Sequence, residues 1–466
     1  MGAVLSSASR ATKNYARRCR LLTAPDAAAT DADWSSLPDD LLFTIMAALD
    51  IHSLRRAGAV CRSWRHAHNL FQLPALEKAP CLLYACEEYG PNDVALFCPT
   101  TNATFRVPFP GPPHHKRGFT FSCPGGFVFT TDQVGNPYLI NPLTGVQATL
   151  PPASTIYDNG ARLSDVDGAG ECFDGIPSLS ILPTIRWARH GGYLCVAISA
   201  AAEVTECTVL ILHMACGRLS FAKPGDTQWT LLEHFIYSAT NILYNDDDGL
   251  FYILFERGGV ATLDLRGPSP SRTTIMPRAI NTRKCRVMYL ALGPSGQLLQ
   301  IWRNWEHINT PHNHRRTYKD IVSGARQGHV DFVGKDDNEP TGTDLPHDNE
   351  PTGIDLLDGE VTTNEIVVFK VDTEGQKLVE LRDIGDHALF LGRNSALCLP
   401  TKDFPMFEPN CAYLTDDCFH CDPTLRKDLG VWNIKKRSMH KIGEDVWPDL
   451  LPWLHLPAPV WIMPRF

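Results

Sequence analysis

The chain has 466 residues, 44% of them hydrophobic and 20% charged, with a formal net charge of −9. That length exceeds one ordinary core, so two or more domains or one large repeat architecture are expected, and the acidic balance excludes a general nucleic-acid binder. Its longest apolar run, Tyr193 to Ala202, is too short to cross a bilayer, and 15 irregularly spaced cysteines do not form the framework of a secreted domain, which points to cytosol or nucleus.

Residues 1–33 are rich in Ala, Ser and Thr, with Arg10, Lys13, Arg17, Arg18 and Arg20 but no acid before Asp26. Such a segment cannot bury enough apolar surface to fold, so a disordered basic tail is expected. Met1-Gly2-Ala3-Val4-Leu5-Ser6 fits a myristoylation pattern with Gly2 as acceptor. One acyl chain binds membranes weakly, and the basic cluster or Cys19 would have to supply a second signal. Membrane tethering is expected only through this tail, which also reads as an inert extension or an import signal.

The texture turns helical over 34–70 in "SLPDDLLFTIMAALDIHSLRRAGAVCRSWRHA". Pro38 suits a first helical position, and Asp39 and Asp40 then face the positive end of the helix dipole. Leu41, Leu42, Ile45, Met46 and Leu49 recur at helical spacing and form one broad apolar face. Ser53 is placed to cap a second short helix, and Val60, Cys61 and Trp64 form the apolar side of a third. Three helices in fewer than about 40 residues cannot bury that much apolar surface among themselves. At about 1.5–3 kcal/mol for each large side chain, the remainder is best spent on a partner surface.

Leu37-Pro38-Asp39-Asp40-Leu41-Leu42, then Ile45, Leu49 and Leu54, then Ala59-Val60-Cys61-Arg62-Ser63-Trp64-Arg65 resemble the F-box, the motif that docks substrate receptors onto Skp-type adaptors of SCF ubiquitin ligases. The resemblance implies adaptor contact by Leu37, Pro38, Leu41, Leu42, Ile45, Leu54, Val60, Cys61 and Trp64. Which of them touch the adaptor and which hold the helices together is not separable from sequence. His52 stands where many relatives carry an acid or proline.

Residues 71–80 read as a linker, and from Cys81 onward short apolar runs alternate with Gly, Pro, Asn and Asp. Leu250 to Phe255 and Val260 to Leu265, joined by Arg-Gly-Gly and preceded by the turn Asp246-Asp247-Asp248-Gly249, are representative strands. Over 81–466, less a low-complexity insert at about 306–363, there is room for six to eight four-stranded blades of about 40–50 residues. The expected fold is therefore α+β and multidomain: a small three-helix unit followed by a large all-β propeller. The insert carries a near-exact duplication, "DNEPTGTDL" and "DNEPTGIDL", and reads as a flexible excursion from a propeller loop.

"NPYLINPLTGVQATLPP", "GDHALFLGRNSALCL", "PNCAYLTDD", "DLGVWNIKKRSMHKI" and the terminal "PAPVWIMPRF" resemble the plant F-box-associated β-propeller family long described as a domain of unknown function. That resemblance implies a scaffold presenting loops to a degradation substrate.

Sites of chemistry are thin. Cys418-Phe419-His420-Cys421 has metal-ligand spacing but no second pair, His312-Asn313-His314 and His114-His115 are isolated, and Asp246 to Asp248 lack an EF-hand loop. No phosphate-binding loop or nucleophile elbow is present, so no cofactor, metal or catalytic residue is assigned. The sequence reads as a non-catalytic substrate receptor that joins an unidentified protein substrate to a Skp-type adaptor and, through it, a cullin–RING ligase. A tether or decoy acting outside ubiquitination and a propeller enzyme are the alternatives.

Overall fold

The computed structural model describes residues 34–70, 79–86, 89–111, 121–156, 193–199, 203–213, 217–232, 239–277, 287–309, 359–393, 395–415, 428–441 and 459–465. Gly2 and the rest of the tail, most of the linker, the interior of the insert, His114-His115, His312 to His314 and Cys418 to Cys421 lie outside those residues.

Three short helices follow a single turn at Trp34–Ser36: α1 (Asp39–Ala48), α2 (Ile51–Ala57) and α3 (Arg62–Asn69). Pro38 is one position earlier than the sequence suggests, an N-cap with φ −57° and ψ 147° whose carbonyl accepts the first helical bonds. The cap of α2 is Asp50 rather than Ser53. Its carboxylate receives the Ser53 N–H at 2.9 Å and the Ser53 hydroxyl at 2.8 Å, because an N-cap acceptor lies two or three residues before the N–H it satisfies. Partial burial raises the Asp50 pKa, but these hydrogen bonds outweigh it and leave the group below the usual carboxylate range. Cys61 is the N-cap residue of α3 in an extended conformation, without a side-chain capping bond, and Val60 lies in the turn before it instead of on a helical face.

The rest of the described chain forms six sheets, five of them antiparallel and one mixed, the blades of a six-bladed propeller. Blades 2 to 5 are four-stranded and built in chain order, within 121–149, 193–231, 239–276 and 287–381. Period-2 alternation shows in the strand Gly430–Asn433, where Trp432 is buried at 3% exposure while Val431 and Asn433 point the other way. The strands Val460–Ile462, Phe121–Ser122, Tyr193–Ile198, Ala239–Asn245, Val287–Leu292 and Leu397–Pro400 edge their sheets, and Ala239–Asn245 meets both Tyr193–Ile198 and Val287–Leu292, its neighbours around the ring.

Two blades depart from the simple pattern. Blade 1 takes its edge strand, Val460–Ile462, from the far end of the chain and pairs it with Cys81–Ala85, so the ring closes with hydrogen bonds between its two ends. Blade 6 has five strands, with His387–Leu391 parallel to Cys411–Leu414 and the edge strand Leu397–Pro400 inserted between them in sequence. An aromatic cluster ties this blade to the closing strand. Phe390 stacks on Tyr413 at 5.3 Å and meets Phe407 and Trp461 edge-on at 4.9 and 5.1 Å.

Blades 5 and 6 share a buried ion pair. The Arg303 guanidinium, 1% exposed, donates to Asp428 Oδ2 at 2.9 Å, Thr363 Oγ1 at 2.9 Å, the Tyr289 hydroxyl at 3.2 Å and the Thr415 carbonyl at 3.1 Å. A charge removed from water survives when its donors are used in this way. Blade 5 also carries the longest hairpin, Leu298–Asn309 paired with Gly359–Asp372, and residues 310–358 connect its ends.

Candidate adaptor-binding surface

The helices are not a separate bead in front of the ring. Leu42, Met46, Ile51, Leu54, Ala57 and Ala67 belong to one buried cluster with Cys81, Leu83, Val94, Phe105 and Val107 of blade 1 and Val128 and Ile140 of blade 2. Helix α2 packs on the outer strand of blade 1, Ala103–Pro108. From the same helix His52 donates Nε2–H to the Pro142 carbonyl of blade 2 at 2.8 Å, a bond that fixes its tautomer. Gly145, at φ +76°, lets that turn come close: a Cβ there would sit 3.4 Å from the imidazole.

This packing sorts the nine candidate residues into a buried set, a half-buried set and an outward set. Leu42 and Leu54 are 0% and 1% exposed and serve the chain's own core, so they are unavailable to another protein. The sequence argument that the helices need an external surface is thus half satisfied from within, by the propeller. Leu37 and Trp64 are half-buried against the same core. Trp64 donates its indole N–H to the Trp34 carbonyl at 2.9 Å, and the Ser63 hydroxyl reaches the Ser35 carbonyl at 2.8 Å, so α3 staples the entry turn in place. Cys61 is half-buried, 3.1 Å from the Ser63 hydroxyl.

The remaining candidates face outward. Val60 is 60% and Leu41 47% exposed, Pro38 is exposed, and Ile45, one helical turn beyond Leu41, is half-buried. Trp34 at 60% and Leu70 at 57% join them, two residues that sequence reasoning did not single out. The signal for Trp34 was its place: a large aromatic just ahead of the Leu-Pro start, with no periodic partner to bury it. Charges flank the outward residues, with Asp39 and Asp40 at the start of α1 and exposed Arg55 and Arg56 at the end of α2. Large apolar groups left in water cost free energy that a partner surface recovers.

The Asp246 to Asp248 run is a hydrogen-bonded turn. Asp248 accepts the Leu250 N–H at 3.0 Å and the Tyr252 hydroxyl at 2.6 Å, and Arg266 binds its carbonyl at 3.0 Å. Among the described residues no group of three or more His, Cys, Asp or Glu could hold a metal ion.

Comparison with known proteins places both parts. The KIB1-4 beta-propeller family matches residues 96–433, and an F-box-like family matches residues 34–71. The chain belongs to the KIB1-4 β-propeller family. It carries an F-box-like domain at its N-terminus. A candidate F-box protein of Arabidopsis thaliana is 27% identical over 262 residues, covering 55% of this chain and 60% of the relative. An F-box/kelch-repeat protein of the same plant is 23% identical over 287 residues, 59% of this chain and 68% of the relative. The chain spans between about half and two-thirds of the length of these relatives and of a second candidate F-box protein, at 60%, 68% and 53%.

Proposed function

We propose that this chain is the substrate receptor of an SCF-type ubiquitin ligase, with a Skp-type adaptor on the outward face of its F-box-like helices and a protein substrate on the propeller. The observation that carries this reading is the exposure of Trp34 in the entry turn, Leu41 on α1 and Val60 in the turn before α3, while Leu42, Met46, Ile51 and Leu54 are buried against the ring. Through the adaptor the chain would reach a cullin–RING ligase in cytosol or nucleus, the compartments its cysteine pattern suits. Its own contribution is positional. Holding a target lysine near the charged ubiquitin carrier raises effective concentration without a catalytic group in the receptor.

The fixed junction between helices and ring supports this role, because a receptor that orients its cargo needs a defined angle between adaptor and substrate. Affinity purification of the full chain tests it. Wild type should recover a Skp-type adaptor and a cullin, and Leu41→Ala combined with Val60→Ala should recover neither while remaining folded. Recovery of neither by wild type would end the proposal.

A further inference from the structure

In blade 1, Leu82 lies opposite Phe97 and Leu83 opposite Leu96 on antiparallel strands. Continuing that register by one residue sets Cys81 opposite Cys98. Both are 0% exposed and both are free thiols. Directly opposed residues on antiparallel strands have Cα atoms about 4.5–5.5 Å apart, inside the span of about 4.4–6.8 Å that a disulfide bridges.

The pair occupies a particular place. Cys81 also faces Ile462 on the strand that closes the ring, and the carbonyl of Ala79, at the end of the linker from the helices, is 3.5 Å from its sulfur. Cys98 ends its strand at the turn to Ala103, whose Thr100 and Asn102 are exposed.

The two sulfurs differ in chemistry. Cys81 and the turn at Thr101 and Thr100 lie beside the Cys98 thiol. Against the opposing effect of burial they hold the Cys98 thiol well below the usual range. Burial, together with Cys98 beside it, pushes the Cys81 thiol up. Cys123, Cys195, Cys207, Cys398 and Cys411 are all pushed up by burial as well, so Cys98 stands apart from them. Nucleophilic thiolate beside a protonated thiol is the arrangement of an attacking and a resolving cysteine.

We propose that Cys81 and Cys98 form an oxidisable dithiol that a small hydroperoxide, such as hydrogen peroxide, closes into a cross-strand disulfide. The Cys98 thiolate attacks one peroxide oxygen, giving the sulfenic acid and hydroxide. The Cys81 sulfur then displaces the sulfenic oxygen, which leaves as water with the Cys81 proton, and the hydroxide takes up the proton Cys98 had released. Two thiols lose two electrons, and one peroxide becomes two waters. Burial of both sulfurs favours a small neutral oxidant over a bulky disulfide reagent. The new bond fastens the first two strands of the ring at the point where the linker enters.

Mass spectrometry on the full, folded wild-type chain tests this. After graded hydrogen peroxide, alkylation and cleavage at Glu87 and Glu88, which separates the two cysteines, the Cys81 peptide should appear joined to the Cys98 peptide. The joined species should be two hydrogens lighter than the separate thiol peptides combined, should revert with a thiol reductant, and should persist in Cys86→Ser, because Cys86 shares the Cys81 peptide. In Cys81→Ser, dimedone present in a denaturing quench after the peroxide should trap a sulfenic acid on Cys98. The proposal is overturned if Cys98 remains a free thiol at peroxide concentrations that oxidise Cys61, or if the link vanishes in Cys86→Ser.

Discussion

The inward and outward faces of the three helices are built from the same residue types and meet opposite fates. Leu42, Met46, Ile51 and Leu54 disappear into the wedge between blades 1 and 2, while Leu41, Val60 and Trp34 stay in water. Leu41 and Leu42 are adjacent in sequence and divided only by the turn of a helix. The comparison teaches that an apolar helix ahead of a β-rich domain can bury one face within its own chain and still leave apolar side chains exposed beyond it.

The largest expected effect lies in the ring, between blades 5 and 6, and sets the scale. Asp428→Ala strands the buried Arg303 guanidinium and should cost about 3–5 kcal/mol in urea unfolding. If helices and ring are one cooperative unit, helical and β signals should fall together in that variant, and a helical transition left unmoved would break the comparison at its root. Leu54→Ala should cost about 2–5 kcal/mol and shift the ring's unfolding too, because its cavity opens against blade 1.

A pH titration sharpens the boundary between ring and helices. Burial, with Arg218 nearby, holds His213 in blade 3 neutral and lowers its pKa from 6.5 to about 3. The unfolded chain therefore takes up a proton below pH 6.5 that the folded chain refuses, and stability falls as pH drops from there toward about 3. The slope contributed is at most about 1.4 kcal/mol per pH unit. His213→Gln should flatten it, and an unchanged slope would contradict the assignment. His52→Ala removes the bond to Pro142 and should cost about 1 kcal/mol, with the helices loosened more than the ring in hydrogen exchange. The smallest change in stability is expected on the outward face, where Leu41→Ala or Val60→Ala should stay within about 0.5 kcal/mol.

The strands were legible because alternation and turn residues are local signals. Leu250–Phe255 and Cys411–Leu414 fall where the pattern puts them, and Arg257, at φ +64°, turns the chain between two of the expected strands. Ring closure by Val460–Ile462 was not legible, since its pairing with Cys81–Ala85 joins opposite ends of the chain. Helix caps were read one residue or three residues off, because Pro38 and Asp50 can each serve more than one position until the backbone chooses. The division of the nine candidate residues into core and surface was hidden for the same reason. It depends on the propeller, through contacts such as His52 with Pro142, 90 residues away. Helical periodicity reports a face and is silent about what covers it.

The central claim is that the outward face binds a Skp-type adaptor while the inward face belongs to the fold. Calorimetric titration of the purified adaptor into wild type, Leu41→Ala with Val60→Ala, and Leu54→Val tests it most directly. Wild type and Leu54→Val should bind alike, and the outward double variant should lose at least about tenfold in affinity, or about 1.4 kcal/mol, while melting like wild type. Equal binding by the outward variant and wild type would contradict the account.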